Sequence, residues 1–231
     1  MGSQKTYLFA GASSHIAIST SSRLRSQGHK VIGISRNNAS SHYDEFHLVE
    51  GYHKNNLPSV QGEIHGMVYF PGTINLKPFA RLSTEDLNAD FEINTFGAIY
   101  FVQHYLNQLK AAESSSVVFI STVAVKLGMP FHSSISAAKG ALEGLVPALA
   151  AELAPKIRVN AIAPSLTHTN LSERFINTPE KQEAAKQRNP MKKIGTPEEL
   201  SAAVCFLLST EASWITGQTL AVDGGMGNLK L

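Results

Sequence analysis

The sequence predicts an α/β fold with a doubly wound parallel sheet of about seven strands and helices on both faces. Three observations carry that expectation. Apolar runs of strand length alternate with longer helix-like stretches along the chain. The first run, Thr6 to Ala10, turns at Gly11 straight into a helix-like segment, the opening of a β-α-β unit. Finally, 231 residues at 43% hydrophobic content suffice for one large domain over residues 1–231, with no internal repeat.

Thr6 to Ala10 reads as a strand buried on both faces, because its residues are apolar without alternation. The helix after Gly11 runs to about Gln27, where Gly28 stops it, and Val31 to Ile34 forms the second strand. Asn37 to Glu63 is thin: a polar loop, a short strand over Phe46 to Val49, and little room for a helix between Asn55 and Gly62. Ile64 to Phe70 is the fourth strand. Ser83, followed by Glu85 and Asp86, marks a capped helix start, and that helix is expected to run through Asn94 toward Lys110. Val117 to Thr122 is the fifth strand. The next helix opens at Ser136 and runs to about Ala154, with Pro147 expected to kink it. Ile157 to Ala163 is the sixth strand. Ser172 to Pro190 is polar and reads as a mobile lid. Thr196 and Pro197 start the last helix, and Trp214 to Gly225 holds the seventh strand.

The motifs sit at the strand ends. The first turn reads Ala10-Gly11-Ala12-Ser13-Ser14-His15-Ile16-Ala17, and free N–H groups at such a turn make it an anion site. The second strand ends in Ser35-Arg36, a hydroxyl and a guanidinium suited to a phosphate. Phe70-Pro71-Gly72 follows the fourth strand, Thr122 closes the fifth, and Pro164-Ser165-Leu166-Thr167-His168-Thr169 follows the sixth. Lys139 lies one helical turn after Ile135 and seven residues after His132.

On these motifs, and on its closing segment, the chain resembles the short-chain dehydrogenase/reductase family over nearly its whole length. The resemblance implies a Rossmann-type dinucleotide site in which Gly11, Ser13, Ser14, His15 and Ile16 form the phosphate turn. Ser35 and Arg36 would meet the adenosine ribose, Gly72 would line the cofactor, and Pro164, Leu166 and Thr169 would meet its nicotinamide end. Lys139 would hold the cofactor ribose. Asn94 would hold a water linking that lysine to solvent. Thr122, 13 positions before Ile135, would supply the hydroxyl that holds a carbonyl oxygen.

The chain also departs from the family pattern. His15 and Ala17 stand where Thr-Gly-x-x-x-Gly-x-Gly has its later glycines, and Phe70-Pro71-Gly72 replaces Asn-Ala-Gly. Position 135, where the family carries its tyrosine, is isoleucine and holds no proton. The His15 imidazole either donates to a phosphate or faces solvent and weakens dinucleotide binding. Three readings stay open for the missing phenol. His132 is the proton donor, at the spacing of the enoyl-reductase branch. Or Lys139 or a water delivers the proton, with Thr122 as oxyanion donor. Or no hydride transfer occurs, and the chain is a silent dinucleotide-binding or partner subunit, or a non-redox enzyme.

The expected activity is reduction of a small carbonyl or alkene compound with NADP(H). Arg36, with no acid at the second strand's end, favours NADP over NAD. A net charge of +2 gives no bulk case for nucleic acid or an anionic membrane, and no apolar run is long enough to span one. No metal site is expected. Met1 to Thr6 fits a loose acylation pattern, read as chance because Thr6 already belongs to a strand. The single cysteine, Cys205, fits a reducing compartment and reads as a packed core thiol; with no secretory signal the expectation is cytoplasmic. The resemblance, through helix faces that form an interface in related proteins, implies a homodimer or homotetramer.

Overall fold

A computed structural model describes residues 3–230, so Met1 and Gly2, the start of the acylation pattern, lie outside the described residues. Strands β1 (Thr6–Ala10), β2 (Lys30–Ser35), β3 (Glu45–Leu48), β4 (Gly66–Tyr69), β5 (Ser115–Ile120), β6 (Ile157–Pro164) and β7 (Thr219–Val222) form one sheet in the order β3-β2-β1-β4-β5-β6-β7. Every pairing is parallel. The chain winds from β1 out to β3, then returns past β1 to β4 and on to β7. The turns after β1 and β4 therefore open side by side at the carboxyl end of the sheet, the crevice where such sheets hold ligands.

Neighbouring strand residues face opposite cores, so both layers need apolar side chains. Leu8, Ile32, Tyr69 and Phe119 pack on one face with Phe101 and Leu142. Phe9, Val31, Val68 and Val118 pack on the other with Leu24 and Leu207. Helices α1 (His15–Ser26) and α8 (Pro197–Leu208) cover the second face. Helices α3 (Gly97–His104) and α5 (Ser133–Leu153) cover the first.

Several element boundaries differ from the expectation. The helix read from Ser83 toward Lys110 is not continuous: α2 (Thr84–Phe91) passes through a π turn at Glu92–Phe96 into α3, and α4 (Leu106–Ala111) follows. Asn94 lies in this widened turn. Its Nδ2 donates to the Asp90 carbonyl at 2.8 Å, and the Gly97 N–H reaches back five residues to Glu92. Helix α5 starts at Ser133 rather than Ser136, because the Ser136 N–H already bonds the His132 carbonyl at 2.8 Å. That bond and the one from the His132 N–H to the Met129 carbonyl close the turn that leads into the helix. Pro147, where a kink is expected, is exposed and lies inside α5, which runs on to Leu153. The polar stretch after Ser172 is helical: α6 (Glu173–Ile176) and α7 (Pro179–Arg188) are two short helices, the second capped by Thr178 with Pro179 in its first turn. The first strand keeps the bounds read for it, Thr6–Ala10, while the later strands shift by one or more residues at their ends, the last being only Thr219–Val222.

The thin segment behaves as read. No helix joins β3 to β4; Tyr52, Leu57 and Val60 fill that part of the core instead, and the Tyr105 hydroxyl donates to the Pro58 carbonyl at 2.6 Å.

Candidate functional site

The turn after β1 is built on a glycine. Gly11 has φ +70°, and a Cβ there would lie 2.8 Å from Pro71 Cδ, so no other residue fits without a shift. Ser14 caps α1, its hydroxyl accepting from the Ala17 N–H at 3.1 Å. Ser35 pins this turn to the end of β2. Its hydroxyl donates to Ser13 Oγ at 2.8 Å and accepts from the Ser13 N–H at 3.3 Å. It is buried, so the adjoining exposed Arg36 is the freer of the pair to meet a ligand. His15 opens α1 with its side chain exposed at the cavity.

The other end is organised around Lys139. It is 5% exposed, and its Nζ donates to the Ile120 carbonyl at 2.7 Å. Burial pulls its pKa down to about 7. Gly72 separates it from Asn94: a Cβ on Gly72 would lie 3.2 Å from Asn94 Oδ1 and 3.5 Å from Lys139 Nζ. Asn94 is fully buried, its Nδ2 donating to Thr73 Oγ1 at 2.8 Å and its Oδ1 accepting from the Thr73 N–H at 3.3 Å.

Thr122 sits just past β5, where its Oγ1 accepts from the Ala124 N–H at 3.3 Å and keeps its own proton to donate. Ile135 is buried against the cavity. His132 Nδ1 bonds the Pro130 carbonyl at 2.7 Å. A carbonyl only accepts, so Nδ1 carries the proton and Nε2 of the neutral ring is an acceptor. The nearby serines are committed elsewhere: Ser134 Oγ donates to Asp90 at 2.5 Å and Ser136 Oγ to the Ala124 carbonyl at 2.8 Å.

All site residues named from the sequence line one cavity of about 790 Å³, except Asn94, which stands behind Gly72. Among the described residues, five basic side chains reach this cavity (Arg36, Lys139, Lys181, Arg188 and Lys193) and no acidic one does. The second helix of the polar stretch supplies Lys181 and Arg188, while Leu76, Met129, Leu171 and Phe175 make part of the wall apolar. Among the described residues no group of three or more His, Cys, Asp or Glu is placed to hold a metal ion, and no helix is long and apolar enough to cross a membrane. Cys205 is a packed thiol, pushed up to about 11 by burial.

Sequence reasoning missed three residues here. Tyr52 lies in the thin segment, and its phenol oxygen accepts from the Gly11 N–H at 3.1 Å, a contact across 41 positions with no local signal. Thr73 follows Gly72 and ties down Asn94. Asp90, four residues before Asn94, shares its helix face, and that spacing was the available signal.

The fold and the cavity define a doubly wound α/β protein with a nucleotide-type crevice at the carboxyl end of its sheet. A family model described as enoyl-(acyl carrier protein) reductase matches residues 54–227. Two tropinone reductase homologs of Arabidopsis thaliana are 35% identical over 166 residues and 37% identical over 165, each match covering 71% of this chain. Those matches span 63% and 62% of the relatives, under two thirds of their length. The ligand-free aldohexose dehydrogenase of Thermoplasma acidophilum superposes with a TM-score of 0.90 at 26% identity, over 98% of this chain and 95% of that one. The chain belongs to the short-chain dehydrogenase/reductase family.

Proposed function

We propose that this protein is an NADP(H)-dependent oxidoreductase that reduces a small carbonyl or alkene compound, with Lys139 in place of the family's tyrosine as proton donor. The observation that carries the reading is the buried Lys139 ammonium, with a carbonyl partner at 2.7 Å, opening on a cavity that among the described residues takes five basic side chains and no acidic one. Such a lining suits a ligand with several phosphates. The residues fit a dinucleotide: the turn after β1 tolerates no Cβ at Gly11, α1 begins there, and Arg36 stands where a 2′-phosphate would be read. NADPH, when bound, supplies the hydride.

The chain's own residues supply the rest of the chemistry. Thr122 donates to the substrate oxygen and holds it. Lys139, with its pKa near 7, is protonated in part at neutral pH and hands a proton to the developing oxyanion or carbanion. His132 is the second candidate donor, from the rim of the cavity. The apolar part of the wall suits a modest apolar substrate. A single cytoplasmic domain assembled as a homodimer or homotetramer belongs to the same proposal, on family resemblance.

A second reading is favoured by Ile135: a member that binds the dinucleotide but transfers no hydride. Titration with NADPH and NADH, followed by a carbonyl and enone screen, separates the two. Tight NADPH binding with turnover supports the reductase; binding with no turnover supports the silent subunit; no binding of either nucleotide sinks both.

A further inference from the structure

Asp90 is a buried carboxylate that the proposed reaction does not use. It is 1% exposed, and hydroxyls rather than a cation meet its oxygens. Thr73 Oγ1 donates to Oδ1 at 2.5 Å, and Ser134 Oγ donates to Oδ2 at 2.5 Å. Both hydroxyls donate to Asp90, and that sets the direction of the bonds behind it. Thr73 gives its one hydroxyl proton to Asp90 and must accept from Asn94 Nδ2, at 2.8 Å. The second Nδ2 proton goes to the Asp90 carbonyl, also at 2.8 Å. Both amide protons of Asn94 are thereby occupied on the side away from the cavity. Its Oδ1 takes the Thr73 N–H and flanks the same point beside Gly72 as Lys139 Nζ. Turning the amide over would set its NH₂ against the Thr73 N–H and leave Thr73 Oγ1 without its donor.

We propose that Asp90 is a positioning residue: through Thr73 it fixes the Asn94 amide so that a carbonyl oxygen, not an NH₂ group, faces the Lys139 ammonium. Ser134 is its second anchor and lies on α5, the helix that carries Lys139, so the carboxylate joins the two elements that must stay in register. The inference rests on the proposed role of Lys139 as proton donor. An acceptor beside an ammonium favours its charged form, and a donor there disfavours it. The other groups near Lys139 are the Ile120 carbonyl, the Glu143 carboxylate one turn on along α5, which accepts from Ser121 Oγ at 2.6 Å, and at the cavity wall His15, His132, Arg36, Lys181, Arg188 and Lys193; none of them changes in the variants below.

The test uses Asp90→Asn, which keeps the size but ends acceptor-only behaviour, and the pair Thr73→Val and Thr73→Ser, which removes or keeps the hydroxyl. Lys139 is titrated by ¹⁵N NMR on lysine-labelled full-length protein with no ligand present, and kcat and KM are followed against pH. The expected result is a Lys139 midpoint lower by about half a unit, a threefold change in its protonation constant, in Asp90→Asn and Thr73→Val. The alkaline limb of kcat moves down with it, KM for NADPH stays unchanged, and Thr73→Ser restores both. A wild-type midpoint in Thr73→Val, or no restoration in Thr73→Ser, overturns the role of Asp90. Should Asp90→Asn fail to fold, the Thr73 pair decides alone. If the wild type neither binds NADPH nor reduces a substrate, the proposed reaction falls, while the NMR titration still decides the orientation of Asn94.

Discussion

Tyr52 and Gly11 meet through one hydrogen bond: the phenol oxygen accepts from the Gly11 N–H at 3.1 Å. The bond ties the loop after β3 to the turn after β1. Burial raises the phenol's pKa, while Ser35, Arg36 and the Gly11 N–H pull against that shift. Tyr52→Phe strands a buried N–H and is expected to cost about 1–2 kcal/mol of stability. Urea denaturation measures that loss. NADPH affinity is expected to fall with it, because the same turn is the proposed phosphate end of the cavity.

Arg36→Ser is expected to weaken NADPH binding by about 10- to 100-fold, the range for losing a hydrogen bond to a charged group, and to change NADH binding little. Fluorescence titration with both nucleotides gives the ratio. An equal loss for the two would remove Arg36 as the reader of the 2′-phosphate.

Lys139 makes stability depend on pH with a definite sign. Its folded pKa, about 7, lies below its ordinary value of 10.5. Between those values the unfolded chain binds the extra proton, so stability rises with pH across that window; below pH 7 the charged form is buried at constant cost. Lys139→Met is therefore expected to be more stable than the wild type near neutrality, with the gap closing by on the order of 2 kcal/mol between pH 7 and pH 9. Paired urea melts at the two pH values test this, and a constant gap would mean that Lys139 is not held in a depressed state. The same variant is expected to lose reductase turnover by at least about 100-fold.

His132→Ala is expected to leave turnover within about twofold, because its Nδ1–H is held by the Pro130 carbonyl and Lys139 is the proposed donor. A larger loss would move the proton donor from Lys139 to His132. Ile135→Tyr is the complementary change: a phenol one turn before Lys139 is expected to raise turnover about 10-fold or more. If turnover does not rise in a variant that still binds NADPH, the missing phenol is not what limits this site.

The order of residues is enough to specify the doubly wound sheet, because apolar runs bounded by turns report burial on both faces of a strand, and that signal is local. It also specifies where the candidate site residues gather: Gly11, Arg36, Gly72, Thr122 and Lys139 follow or face strand ends, and the parallel winding brings those ends to one cavity. What those residues can do depends on the packed chain. The depressed pKa of Lys139 comes from burial by segments far away in the chain. The acceptor for the Gly11 N–H lies 41 positions on, and the orientation of Asn94 depends on hydroxyls from Thr73 and on Asp90, itself held from α5 by Ser134. The π turn at Glu92–Phe96 is hidden as well, since helical periodicity reads the same across it. Periodicity and capping are properties of neighbours in sequence; hydrogen-bond direction and desolvation are properties of neighbours in space.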